Sequence, residues 1–235
     1  MKKFRISLTR FELALWLTSI AVVSITGIAF QSGDWLNQTA SLIGVTALIF
    51  VAKGHALGQA LTIVFAVFYG IISWSIRYYG EAFTYLGMTA PMALLALITW
   101  LRNPYQDSAE VTVRRLTRKQ WTLLMIATAA ATAVFYFILK GMGNAALAIS
   151  TLSITTSFLA SALTALRSPY YALAYAANDL VLIVLWGIAA LAAIANVPMA
   201  ACFVMFFAND MYGFINWRRM DCQGEACILP AIVLS

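Results

Sequence analysis

Long apolar runs broken by short polar connections set the pattern of this chain. With about twenty apolar residues needed for each membrane crossing, eight helices are predicted, at roughly 10–30, 37–53, 56–78, 82–101, 120–140, 145–167, 169–194 and 197–218. The expected fold class is therefore an all-α integral membrane protein. The first run begins near Phe11 and has no convincing small-residue cleavage site, so it reads as a retained helix and not a signal peptide. An even number of crossings puts both termini on one side. Lys2, Lys3, Arg5, Arg10, Lys53, Arg102, Arg114, Arg115, Arg118, Lys119, Arg167, Arg218 and Arg219 all fall on that side, and only Arg77 and Lys140 on the other. The positive-inside rule makes it the cytoplasm.

The one long polar connection, Asn103 to Gln120, holds Asp107, Glu110 and several arginines, and it divides the chain. On either side lies a three-helix unit of the same layout. A slide of 117 residues superposes Gly70 on Gly187 and Trp100 on Trp217. Because the fifth helix separates the units, both enter the membrane in the same direction, a parallel repeat of the kind transporters build around a site near the midplane. The expected divisions are 1–36, a cytoplasmic tail and additional helix; 37–101, the first three-helix repeat; 102–144, the loop and linker helix; 145–219, the second repeat; and 220–235, a disordered cytoplasmic tail.

Composition narrows the class further. Hydrophobic residues make up 63% of the 235, charged residues 10%, and the mean hydropathy is +0.85, far from the soluble norm of roughly a quarter charged. The net charge of +6 is spread between apolar runs and forms no patch, which argues against nucleic acid. Cys202, Cys222 and Cys227 have neither metal-ligand spacing nor a disulfide framework. His55 is the sole histidine and has no expected role. No metal, no cofactor and no phosphate-cradling glycine loop is expected, so the chain should not hydrolyse ATP.

The polar chemistry concentrates between Pro169 and Met220, where two apolar helices each carry an Asn-Asp pair: Asn178-Asp179 and Asn209-Asp210. Carboxylates at that depth mark a substrate or ion path. Residues three, four and seven apart share a helix face, which aligns Tyr175, Asp179 and Trp186 on one stripe and Asn209, Tyr212 and Asn216 on another. Gln59, Thr62, Tyr69 and Ser73 share a face of the third helix. Tyr85, Met88 and Met92 surround Pro91 in the fourth, where the proline should kink the helix and free a carbonyl. The competing reading of each polar residue is a plain helix-to-helix hydrogen bond, common in membrane bundles.

The runs Tyr78-Tyr79-Gly80-Glu81, Pro91-Met92, Asn178 to Trp186 and Asn209 to Trp217 resemble the nicotinamide riboside transporter (PnuC) family of bacteria, over roughly 37–219. The resemblance implies a three-one-three, SWEET-like helix arrangement with one extra N-terminal helix, in the bacterial inner membrane. It implies facilitated uptake of nicotinamide riboside for NAD synthesis, a homotrimer, and a cytoplasmic kinase that traps the substrate. Carried to this sequence, it makes Asn178, Asn209 and Asn216 hydrogen-bond partners of the ribose or carboxamide. Trp186 and Tyr212 become stacking partners of the pyridinium, with Gln59 a carboxamide ligand and Asp179 and Asp210 counter-charges. Tyr69 and Tyr85 complete the expected substrate site, and Pro91 is the expected hinge of alternating access.

Other readings stand beside this one. Thiamine or riboflavin would suit the same scaffold. An intramembrane aspartyl enzyme would use Asp179 and Asp210, but the Gly-X-Gly-Asp and Tyr-Asp patterns are absent because Asn precedes each Asp. A structural or assembly protein without cargo would need Trp186 and Asn209 only for folding.

Overall fold

The computed structural model describes residues 8–30, 35–105, 108–144 and 146–223, with side chains as far as Asp221. Its elements are α1 (Arg10–Phe30), α2 (Trp35–Ala52), α3 (Ala56–Ser75), α4 (Tyr79–Phe83), a π-helical turn (Thr84–Thr89), α5 (Ala90–Arg102), α6 (Arg118–Gly141), α7 (Leu147–Ala165), α8 (Tyr171–Ala192), a 3-10 turn (Ile194–Asn196) and α9 (Val197–Gln223). α4, the π turn and α5 run on as one span. Eight spans among the described residues are thus long and apolar enough to cross a membrane, and the chain is an all-helical, multi-pass membrane protein.

Several boundaries differ from the hydropathy pattern, each for a local reason. The third helix, expected to reach 78, stops at Ser75 because Arg77 takes a left-handed φ of 62° and Tyr78 N–H closes back on Ser73 C=O at 2.9 Å. The fourth span then starts at Tyr79, earlier than 82. The sixth helix, expected to reach 167, stops at Ala165 because Arg167 is left-handed at φ 61° and Ser168 N–H bonds Leu163 C=O at 2.9 Å, and the seventh starts at Tyr171 and not at 169. Gly54, at φ 69°, ends α2 in the same way, with His55 N–H on Phe50 C=O at 2.9 Å. These are Schellman closures that satisfy carbonyls otherwise orphaned at helix ends. The last helix continues to Gln223, so the expected tail of 220–235 begins as helix. The remainder of that tail, 224–235, lies outside the described residues, as do Lys2, Lys3, Arg5, Asp107, Cys227 and the side chain of Cys222.

The spans pack as a closed ring in the order α2, α3, α5, α7, α8, α9 and back to α2. α6 packs outside the ring on α7, and α1 outside it on α9 and α2. Both outer helices turn residues such as Leu17, Ile28, Leu123, Ile126 and Phe137 outward, where lipid replaces protein as the apolar partner. α1 is held by polar bonds: Lys53 Nζ meets Glu12 at 3.0 Å, Tyr212 O–H donates to Glu12 at 2.8 Å, and Trp16 Nε1 donates to Thr46 at 3.2 Å.

On the side of the termini, two tryptophans close the ring crosswise. Trp100 Nε1, from α5, donates to the Thr164 carbonyl of α7 at 3.2 Å; Trp217 Nε1, from α9, donates to the Val51 carbonyl of α2 at 3.0 Å. Their rings meet at 5.2 Å between centroids. The polar connection after α5 folds over them as a strap. Val111, buried, bonds Gly54 C=O at 3.0 Å, and Arg114 N–H bonds Arg167 C=O at 2.9 Å. It therefore touches the α2–α3 turn and the α7–α8 turn together.

Candidate substrate site

The ring encloses a cavity of about 40 Å³. Gly44, Ala47, Leu48 and Val51 of α2 form one wall, Gln59, Thr62 and Phe65 of α3 the next, then Tyr85 and Thr89 of the π turn, Thr164 of α7, Tyr175 and Asp179 of α8, and Phe206 and Asp210 of α9. Gly44 is required there, because a Cβ would stand 2.4 Å from the Phe206 ring. A drug-sized ligand needs a pocket of roughly 300 Å³ or more, several times this volume.

Four of the expected site residues line the cavity: Gln59, Tyr85, Asp179 and Asp210. The two aspartates adjoin each other, and Asp179 Oδ2 has no hydrogen-bond partner. Thr89 Oγ1 is also buried without one. Buried polar atoms are rarely left unsatisfied, so both oxygens are free for a ligand. Tyr69 and Trp186 stand behind this wall. The Trp186 indole N–H donates to the Tyr69 hydroxyl at 2.6 Å, and Tyr69 packs on Tyr85 at 4.2 Å and on Phe65 at 5.5 Å. Phe203 and Phe206 complete this aromatic cluster.

The other expected residues turn away from the cavity. Asn178 Oδ1 accepts from three α7 hydroxyls, Ser153 at 3.2 Å, Thr156 at 2.8 Å and Ser157 at 3.0 Å. Asn209 Nδ2 donates to Ser19 Oγ of α1 at 3.1 Å and to Met205 C=O at 2.7 Å. Tyr212 packs on Phe11 and bonds Glu12, and Asn216 Nδ2 donates to Ala52 C=O at 2.9 Å. These four join helices.

Pro91 sits two residues past the end of the π turn, whose register is marked by Ala90 N–H bonding Tyr85 C=O, five residues back. A proline ring crowds the carbonyl four residues back and has no N–H to give it; the wider turn relieves the crowding and carries Tyr85 and Thr89 to the cavity. π turns recur at functional sites. Thr89, Thr164, Phe65 and Phe206 were not singled out from sequence as site residues; Thr89 follows from its place two residues before Pro91, but the others have no local signal. His55, given no role by sequence, caps α3, its Nδ1 accepting Leu57 N–H at 3.1 Å. Burial first, then the neighbouring Lys53 charge, hold the His55 pKa below the usual imidazole value of 6.5.

Among the described residues no set of three or more His, Cys, Asp or Glu side chains is placed to hold a metal ion. The ring of spans, its enclosed cavity lined by acids, amides, hydroxyls and aromatics, and a proline-linked π turn on the cavity wall together define a membrane transporter for a small polar solute. Residues 34–219 match the family model described as nicotinamide mononucleotide transporter, and the chain belongs to that family. It is 25% identical over 217 residues, 90% of this chain and 82% of the relative, to the nicotinamide riboside transporter PnuC of Neisseria mucosa. Its fold matches the crystal structure of the vitamin B3 transporter PnuC with a TM-score of 0.82 at 23% identity, covering 93% of this chain and 95% of that one.

Proposed function

We propose that this transporter carries nicotinamide riboside into the cell by facilitated diffusion. The observation that supports the riboside over the mononucleotide of the family's description is the charge of the cavity. Asp179 and Asp210 line it, and no Lys, Arg or His does among the described residues. A cationic pyridinium gains from this acid pair and from the rings of Tyr85, Tyr175 and Phe65, about 2 kcal/mol for each well-placed desolvated ring. A phosphate would find no cationic side chain to pair with. In this reading Asp179 and Asp210 balance the ring, Gln59 and Thr89 bond the carboxamide or ribose, and Trp186 sets the position of Tyr69. Asn178, Asn209, Tyr212 and Asn216 hold the surrounding helices.

Transport proceeds by alternating access, with the units 37–101 and 145–219 rocking about the cavity and Pro91 as the hinge. The distribution of basic residues supports cytoplasmic termini in a bacterial inner membrane. The family resemblance adds a homotrimer in lipid and a cytoplasmic kinase that traps the imported riboside, without ion coupling or ATP hydrolysis by the chain itself.

The test is calorimetry on the purified protein with nicotinamide riboside, nicotinamide mononucleotide, thiamine and riboflavin. Micromolar binding of the riboside, at least about tenfold weaker binding of the mononucleotide, and loss of riboside binding in Trp186→Ala support the reading. Binding of thiamine or riboflavin in place of the riboside overturns the substrate.

A further inference from the structure

Glu81 has no place in the cavity and no evident structural duty. It lies in α4, near the end of the bundle opposite the termini, fully buried at 0% exposure. Neither carboxylate oxygen has a hydrogen-bond partner of regular geometry among the described residues. The hydroxyls of Ser153 and Tyr69 stand beside it; Ser153 points its proton at Asn178 Oδ1, while Tyr69, whose oxygen accepts from Trp186, keeps a proton of its own to give. No Lys, Arg or His acts on it. A lone carboxyl inside a membrane bundle stays protonated and neutral, or carries its charge only with a cation beside it.

Tyr69, Tyr78 and Tyr85 lie near Glu81, and Tyr85, which lines the cavity, lies near Asp179 as well. Two polar contacts tie the residues just before Glu81 to other parts of the bundle: Tyr78 O–H reaches Leu185 C=O at 3.4 Å, and Asn144 Oδ1 accepts Gly80 N–H at 3.1 Å.

We infer that Glu81 is the counter-ion of a second, outer subsite that holds the positively charged ring of the substrate before it passes Tyr85 to Asp179 and Asp210. This rests on the riboside reading. The carboxylate selects for charge at the outer side, and the aspartates take the ring over as the π turn moves Tyr85.

The experiment compares nicotinamide riboside with its reduced dihydro form, nearly identical in size and without ring charge, in binding to the purified protein and in uptake into proteoliposomes. Glu81→Gln keeps the shape and removes the charge; Glu81→Asp keeps the charge; monodispersity and thermal unfolding report folding of each. The expected result is that Glu81→Gln loses about tenfold or more in apparent affinity for the cation and under about twofold for the dihydro form, with Glu81→Asp nearer wild type. Equal loss for both forms assigns Glu81 to packing and overturns the subsite, as does no loss for either. Wild-type protein that binds neither form removes the riboside reading itself, and the inference with it.

Discussion

A helix turns its side chains by about 100° per residue, and at Asn178 and Asp179 that single step separates a joint between helices from a carboxyl on the cavity wall. Asn178 receives three α7 hydroxyls, while Asp179 turns one oxygen, unpartnered, toward the cavity. Of the stripe expected from sequence, Tyr175 and Asp179 line the cavity and Trp186 does not. The sequence had no means of sorting Asn178 from Asp179, because the hydroxyls that claim the amide sit on another helix at no fixed spacing. The same holds for Asn209 and Tyr212, claimed by Ser19 and Glu12 of α1. The two neighbours should separate by measurement. Asp179→Asn is expected to weaken riboside binding by about tenfold with little change in thermal stability. Asn178→Ala, which removes the amide acceptor of the buried Ser153 and Ser157 hydroxyls, is expected to lower stability by about 1–3 kcal/mol while binding by the folded fraction holds. Calorimetry and thermal unfolding on the same preparations check both.

Elements were legible where the apolar period was long and illegible where backbone geometry departs from it. Span positions follow hydropathy to within a few residues, but Arg77 and Arg167 take a conformation that no sequence rule assigns to arginine. The π turn was equally hidden, although Pro91 gave its place. Pro91→Ala restores a possible N–H donor and removes the crowding, so the turn is expected to relax toward regular α-helix and withdraw Tyr85 and Thr89. Riboside uptake should fall about tenfold with expression unchanged; uptake at the wild-type rate would remove the hinge. At the start of α3, the His55 cap works only with a neutral imidazole. Its folded pKa is depressed, so the unfolded chain binds more protons as pH falls. Stability should be level above the unfolded value of 6.5 and decline as pH drops through it. His55→Asn, which caps without titrating, should flatten that decline in unfolding curves taken between about pH 7.5 and 5.5.

At the scale of the molecule, the offset of 117 residues picked out one pair that meets and one that does not act alike. Trp100 and Trp217 touch, and each bonds the C-terminal end of the first helix in the other unit. Gly70 faces Leu86 with no room for a Cβ, whereas Gly187 faces open space. The crosswise bonding was invisible because its acceptors are backbone carbonyls, which carry no residue signature. Single Trp100→Phe and Trp217→Phe variants should each lose roughly 1 kcal/mol of stability. Their double variant should depart from the sum by about 0.5 kcal/mol or more, since the rings are in contact. Strict additivity in a thermal-unfolding cycle would show that the two closures act alone.

The ion pair between Glu12 and Lys53 bears on how the chain is made. The ring closes between α2 and α9, its first and last members to leave the ribosome, so α2 must wait in lipid while the rest is synthesised. Tyr212, the later hydrogen-bond donor to Glu12, emerges only with α9. Glu12 opens the first span and Lys53 directly follows the second, so the two meet as soon as that hairpin inserts. The nascent hairpin therefore inserts with Glu12 already paired, and need not borrow its counter-charge from anything not yet translated.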